Sequence, residues 1–213
     1  MTTLDFPETP ARAWQRMRSG NARFVAGAPE HPHQDVERRT LLADGQTPFA
    51  AVFGCGDSRL AAEIIFDVGL GDLFVIRNAG QVIDTTILAS LEYAVSSLHV
   101  PLIVVLAHDH CGAVTAALES DQQRQLPDGF YLRDLLTRIH PAIVESHTQG
   151  DGTLADVARR HLQHTVRDIV SHSELLSTAV SSGTVGVIGV NYVLREGDVH
   201  EVVAVGNIEV THE

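Results

Sequence analysis

The stretch Leu102-Ile103-Val104-Val105-Leu106-Ala107-His108-Asp109-His110-Cys111-Gly112 decides the fold of this chain. Six apolar residues in a row are typical of a strand that is buried on both faces of a parallel sheet. Polar residues follow at once, and a segment of helical character begins at Gly112. The stretch therefore predicts a strand, a turn that carries His108 and Cys111, and a helix.

A second stretch of the same kind lies fifty-three residues earlier. The apolar run Phe49–Gly54 predicts another buried strand, and Cys55-Gly56-Asp57-Ser58-Arg59 follows it directly. Between the two stretches, Leu73–Arg77 reads as a strand and Thr85–Leu98 as an amphipathic helix. Strands that alternate with helices indicate βαβ units and a parallel sheet.

These patterns predict the fold class α/β, with a central, mostly parallel sheet flanked by helices. Residues 1–213 are expected to form one domain with an N-terminal helical arm at 1–45. Val185–Tyr192 and Val199–Val205 should form a hairpin-like pair that ends in a C-terminal edge strand. Further helices are expected over Ala11–Val25, Glu37–Ala43, Leu60–Phe66, Tyr131–Ser146 and Leu154–Ser181, and from Gly112 to Leu118.

The N-terminal arm carries Trp14, Met17 and Phe24 at helical spacing. A lone terminal helix would leave these side chains exposed as an apolar patch. The sequence therefore predicts that the arm packs on a second subunit, in a homodimer or a dimer of dimers.

Composition narrows the class of protein. The chain has 213 residues with 44% apolar content, which is enough for one compact core. A net charge of −12 argues against nucleic acids and anionic membrane surfaces as partners. No transmembrane segment or signal peptide is evident, and a cytoplasmic location is expected.

The only two cysteines are the candidate metal ligands, together with one histidine. Cys55, His108 and Cys111 follow strands whose carboxyl ends should meet at one edge of the sheet. Thiolates and imidazole suit zinc, and three protein ligands leave a fourth position open for water. One zinc ion per chain is predicted; the competing interpretations are buried cysteines and a core histidine, or a disulfide.

Asp57 and Arg59 lie beside the first cysteine. One interpretation is a surface ion pair of little energetic consequence. The other is a gate, because a free carboxylate next to zinc would fill the open position, and Arg59 competes for that carboxylate.

At these residues the chain resembles the β-class carbonic anhydrases, in particular their plant-like and actinobacterial branch. The family pattern is Cys-x-Asp-Ser-Arg followed by His-x-x-Cys-Gly, and it fits residues 55–59 and 108–112. Three more segments match: Gly20–Val25, Gly71–Gly80 and Leu91–Val95. The likeness is strong from Ala11 to Leu118 and holds in outline beyond.

The resemblance implies reversible hydration of CO2 to bicarbonate and a proton by zinc-bound hydroxide. It implies that Cys55, His108 and Cys111 ligate zinc and that Asp57 and Arg59 form a catalytic dyad. In the family's closed state the aspartate also ligates zinc, and low pH should favour that state here. The substrate-binding residues that it implies are Gln46, Phe74, Ala79, Tyr93 and the Gly112 amide.

Some positions depart from the family pattern. Val52 stands where one branch has a tryptophan that forms a non-catalytic bicarbonate pocket, and Ala79 is smaller than the valine often found there. Two alternative functions remain open. One is a carbonyl sulfide or carbon disulfide hydrolase on the same scaffold, and the other is a structural or regulatory zinc protein with His110 or Asp57 as fourth ligand.

Three other histidines stand out. His110 is expected to point away from the metal and could carry protons at neutral pH. His161 and His164 form a helical i, i+3 pair that could bind a metal, but neither has a cysteine nearby in sequence.

Overall fold

The computed structural model describes residues 9–208 and contains one five-stranded sheet. Its strands are β1 (Ala50–Cys55), β2 (Leu73–Asn78), β3 (Leu102–His108), β4 (Gly186–Tyr192) and β5 (Val199–Val205). The spatial order is β2-β1-β3-β4-β5. The first four strands run parallel and β5 pairs antiparallel with β4 at the edge. The predicted fold class and the C-terminal edge strand are confirmed.

Eight helices connect and cover these strands within residues 9–208. They are α1 (Pro10–Val25), α2 (Val36–Leu41), α3 (Ala62–Ile65), α4 (Thr85–Ser96), α5 (Gly112–Gln123), α6 (Phe130–Gln149), α7 (Leu154–Ser171) and α8 (Glu174–Ser181). The expected helix over Leu60–Phe66 is a single turn. None of the described helices combines the length and the apolar character needed to cross a bilayer.

One expected helix is two helices. The segment predicted as continuous over Leu154–Ser181 breaks at Ser173. The Ser173 hydroxyl accepts a hydrogen bond from Leu176 N at 3.2 Å, and thus caps the start of α8. The same hydroxyl donates to Glu92 in α4 at 2.6 Å, so a tertiary contact fixes the break.

The core has two halves, one on each face of the sheet. Alternate residues of the inner strands enter opposite halves: Val52 and Val104 face one side, and Phe53 and Val105 face the other. Helices α1, α3, α5 and α6 cover the first face, while α4, α8 and most of α7 cover the second. The carboxyl ends of β1 and β3 carry the candidate site.

The N-terminal helix buries part of its apolar face on its own chain, while its packing on a second subunit stays a prediction. Trp14 and Met17 are at most 2% exposed, and the Trp14 ring meets Phe66 edge to face. The Trp14 indole N–H donates to Glu201 at 2.6 Å. The exposed apolar patch that motivated the prediction of a partner subunit is therefore absent from Trp14 and Met17.

Candidate active site

The carboxyl ends of β1 and β3 bring the three predicted metal ligands together. Cys55 ends β1, His108 ends β3, and Cys111 lies in the turn before α5. All three residues are buried, and their ligand atoms lie within 4.8 Å of one another. The two sulfur atoms are 3.9 Å apart, so both cysteines are free thiols and not a disulfide.

His108 is held with one ring nitrogen turned toward this cluster. Its Nδ1–H donates to the Asp109 carbonyl oxygen at 2.8 Å, which fixes the tautomer. Nε2 is left as a buried acceptor without a hydrogen-bond partner. An orphaned acceptor facing two thiols fits a metal ion well, since sulfurs bound to one tetrahedral zinc lie about 3.8 Å apart.

The hydrogen bond between the two thiols shifts their pKa values in opposite directions. The pKa of Cys55 is lowered to about 4, first because Cys111 donates to it and further because the Gly80 amide does. The pKa of Cys111 is raised by its hydrogen bond to Cys55 and by burial. A cation between the sulfurs would replace that shared proton.

Asp57 and Arg59 form the predicted pair beside the cluster. The guanidinium binds both carboxylate oxygens, with Nε to Oδ1 at 2.8 Å and NH2 to Oδ2 at 2.7 Å. This pairing holds the pKa of Asp57 well below its usual range. The carboxylate is therefore ionised at neutral pH, and its Oδ2 lies 3.9 Å from His108 Nε2.

Neither proposed fourth protein ligand occupies that role in this arrangement. Asp57 is engaged by Arg59, and the His110 side chain is 78% exposed with Asp109 as its charged neighbour. Within residues 9–208, Cys55, His108 and Cys111 are the one group that could hold a metal ion. The cluster is thus a three-ligand site, which is the arrangement typical of catalytic zinc.

The expected substrate-binding residues separate into two sets. Gly112 begins α5 directly after Cys111, with open space where a side chain would be. Ala79 follows Asn78, which is paired with Cys55 across the sheet. Gly112 and Ala79 therefore border the metal cluster.

Gln46, Phe74 and Tyr93 lie elsewhere in the chain. Phe74 is aligned with Ala51, four residues before Cys55, which places it about 13 Å along the strand from the cluster. Its ring packs against Tyr93, with the ring centres 6.0 Å apart. Gln46 precedes the amino end of β1, so all three lie away from the metal ligands of their own chain.

A family model described as carbonic anhydrase matches residues 50–199, which is more than half of the chain. The chain belongs to the β-carbonic anhydrase family. It is 48% identical over 188 residues to "Carbonic anhydrase 2" of Mycobacterium tuberculosis, covering 88% of this chain and 90% of that relative. It is 47% identical to "Carbonic anhydrase" of Mycolicibacterium smegmatis over 190 residues, covering 89% and 92% of the two chains.

Solved structures agree on the fold. A structure described as one of two tetrameric β-carbonic anhydrases from Sordaria macrospora matches with a TM-score of 0.70 and 24% identity, covering 88% of this chain and 95% of that one. The β-carbonic anhydrase CcaA matches with the same score and identity, covering 92% of each chain. As a member of this family, the protein is an enzyme of the carbonic anhydrase class.

Two groups around the β-carbonic anhydrase motifs were not predicted from sequence as part of the site. Arg77 donates to the carbonyl oxygens of Cys55 and Asp57, at 3.0 and 2.5 Å, and so fixes the loop that carries the dyad. The Gly80 amide donates to Cys55 Sγ at 3.4 Å. Arg77 lies within β2 and Gly80 two residues after its end, and both belong to the matched segment Gly71–Gly80, so a signal was present in the sequence.

The His161–His164 pair does not form a metal site. His161 Nε2 donates to the Gly80 carbonyl oxygen, whereas His164 Nε2 pairs with Glu145. His161 is buried, at 4% exposed, and its environment could not be read from the i, i+3 spacing.

Proposed function

We propose that this protein catalyses the reversible hydration of CO2 to bicarbonate and a proton, with one zinc ion held by Cys55, His108 and Cys111. The observation that carries the proposal is the buried His108 Nε2, which has no hydrogen-bond partner and faces two free thiols. A zinc ion held there would supply a Lewis acid that lowers the pKa of a water molecule to about 7.

The side chains of the dyad orient the reacting water. Asp57 is ionised and can accept a hydrogen bond from that water, because Arg59 keeps its carboxylate in place and its pKa low. Arg59 in turn keeps the carboxylate from turning toward the metal cluster, where it could itself act as a ligand. The pair therefore aligns the nucleophile without protonating it.

The substrate needs an apolar surface to bind against and one hydrogen-bond donor that stabilises the negative charge developing on its oxygen. Ala79 offers a small apolar side chain at the edge of the cluster, and the Gly112 amide lies at the amino end of α5. A backbone N–H at a helix start can stabilise the oxygen of bicarbonate. The exposed His110 imidazole can pass the product proton to buffer.

We further propose that two chains pair along β2, in a homodimer or a dimer of dimers. β2 is an edge strand whose apolar run Leu73–Ile76 is only half-buried, whereas β1 and β3 are fully buried. Such an exposed apolar edge favours pairing with another strand. A twofold axis would reverse the partner's β2 and bring its amino-terminal half toward this chain's cluster.

In such a dimer Gln46, Phe74 and Tyr93 would serve the partner's site. This accounts for their distance from the metal ligands of their own chain. We also propose that the N-terminal arm at 1–45 packs on the partner subunit, through the face of α1 that is not buried on its own chain. A cytoplasmic location is also proposed, because two free thiols at the site are typical of a reducing compartment.

The proposed function is tested by zinc analysis together with stopped-flow CO2 hydration. The parent chain should contain one zinc per chain and be active, and His108→Ala should lose both. His110→Ala is the matched control two residues away and should keep its zinc. A fully active chain without zinc, or zinc retained by His108→Ala, would falsify the ligand assignment. Faster hydrolysis of carbonyl sulfide than hydration of CO2 would change the substrate.

A further inference from the structure

His161 is a buried histidine that the proposed chemistry does not use. It lies in α7 and is 4% exposed. Its Nε2–H donates to the carbonyl oxygen of Gly80 at 2.7 Å, across 81 residues of sequence. A polar side chain placed so deeply with one long-range partner points to a specific task for that hydrogen bond.

The acceptor belongs to an unusual turn. Gly80 and Gln81 are two consecutive residues with positive φ, at 73° and 42°. A Cβ atom at Gly80 would lie 2.8 Å from the Cβ of Ala113, so only glycine fits there. Gln81 has a side chain and holds a sparsely populated conformation, which persists only where neighbouring contacts enforce it.

The same turn touches a metal ligand. Gly80 N–H donates to Cys55 Sγ at 3.4 Å, while the Gly80 carbonyl receives the His161 proton. One glycine therefore links the buried imidazole to the sulfur. Rotation of this residue toward negative φ would turn its N–H away from the sulfur.

We infer that His161 is a positioning residue of the metal centre, which fixes the 79–81 turn so that the Gly80 amide donates to the Cys55 sulfur. The inference rests on the proposed zinc site and adds a residue that acts on it through the backbone. The Asn78 side chain also spans this turn through two hydrogen bonds to the Val82 backbone, but His161 binds Gly80 itself. Loss of the imidazole donor therefore leaves the Gly80 peptide less fixed, and its N–H···S bond to Cys55 weakens. Outer hydrogen bonds of this kind orient ligands and tune their affinity for the metal.

Three variants test the inference through zinc affinity, measured by competition with a chromophoric chelator. His161→Leu removes the donor and should weaken zinc binding by roughly 10- to 100-fold. His161→Gln keeps an N–H donor and should recover most of the affinity. His164→Leu is the matched control on the same helix, where loss of the hydrogen bond to Glu145 should leave zinc affinity at the parent value.

The control separates positioning from general stability. His164→Leu should lower the melting temperature and leave zinc binding unchanged. His161→Leu should lower the melting temperature and also weaken zinc binding. Parent-like affinity in His161→Leu, or an equal loss in the two leucine variants, overturns the inference. If the parent binds no zinc, the proposed function fails and takes the inference with it.

A measurement on the parent chain covers the case in which His161→Leu does not fold. In protein loaded with cadmium-113, the Gly80 amide proton should show a scalar coupling to the metal through the N–H···S bond. Long-range nitrogen-15 spectra should show His161 protonated at Nε2. A proton on Nδ1 alone, or no coupling at Gly80, overturns the inference.

Discussion

Asp57 is the residue in the site whose orientation depends most directly on one partner. Both carboxylate oxygens accept from Arg59, and Oδ2 is 3.9 Å from His108 Nε2. Arg59→Ala frees the carboxylate to turn toward the metal ligands. We expect CO2 hydration to fall at least about tenfold at pH 8 while zinc stays bound.

Two further variants define what Arg59 supplies. Arg59→Lys offers a point charge instead of a planar fork, and we expect an activity between those of Arg59→Ala and the parent. Arg133→Ala removes an exposed guanidinium that donates to the Pro127 carbonyl oxygen, and should leave activity unchanged. Parent-like hydration by Arg59→Ala would show that no gate exists.

Protonation of His161 should make the free energy of unfolding depend on pH. Burial lowers its pKa below the usual value for histidine. The unfolded chain takes up a proton as pH falls through about 6.5, but the folded chain does not, so stability is lost below that pH. Relative to His161→Gln, the parent's free energy of unfolding should fall by at most about 1.4 kcal/mol per pH unit.

Urea titrations of both zinc-loaded proteins between pH 5.5 and 8 measure this difference. Proton uptake by the zinc ligands is common to the two chains and cancels to first order. The difference should be constant above pH 7 and shrink below 6.5. A difference that is constant over the whole range would mean that His161 is not buried as a neutral imidazole.

At the scale of elements, the strands were predicted closely and the helix boundaries less well. The run Phe49–Gly54 gave β1 within one residue, because strands buried on both faces must be continuously apolar. The break at Ser173 was missed, since the helical pattern continues through it and the Glu92 partner lies 81 residues away. Local patterns report the face a helix buries but not a tertiary contact that ends it.

Helix α1 gives a prediction about packing at a single glycine. A Cβ atom at Gly20 would lie 1.8 Å from the carbonyl oxygen of Phe66, which follows α3. Helix propensity alone favours alanine by about 1 kcal/mol. The clash with backbone should outweigh that gain, so we expect Gly20→Ala to lower the free energy of unfolding by about 1–3 kcal/mol.

Chemical denaturation monitored through Trp14 fluorescence tests this. Ser19→Ala, at the exposed neighbouring position of the same helix, should be neutral or slightly stabilising. Stabilisation by Gly20→Ala would mean that α1 does not lie against Phe66.

At the scale of the whole molecule, the sequence motifs identified candidate site residues, but they did not always show where in the fold those residues lie. Cys55, His108 and Cys111 could be placed together because parallel strands end at one edge of a sheet. Gln46, Phe74 and Tyr93 could not, because a motif gives the residue type and not its place in the fold, and the fold places Phe74 and Tyr93 away from the metal ligands of their own chain. Trp14 could not either, since its partner Glu201 lies 187 residues along the chain.

A shared site makes a specific prediction about mixed subunits. Cys111→Ser removes a metal ligand, and Gln46→Ala, at an exposed loop position, should lower activity by about 100-fold if the amide stabilises charge on the substrate. If Gln46 serves the partner's site, each mixed dimer holds one intact site. Equal amounts of the two variants, refolded together, should regain about a quarter of parent activity, because half of the dimers are mixed and half of their sites are intact.

Cys111→Ser refolded with His108→Ala is the control and should regain nothing, since both defects lie in the metal cluster of one chain. Absence of recovery in the first mixture would place Gln46 in the site of its own chain, and parent-like activity of Gln46→Ala by itself would place it outside the reaction.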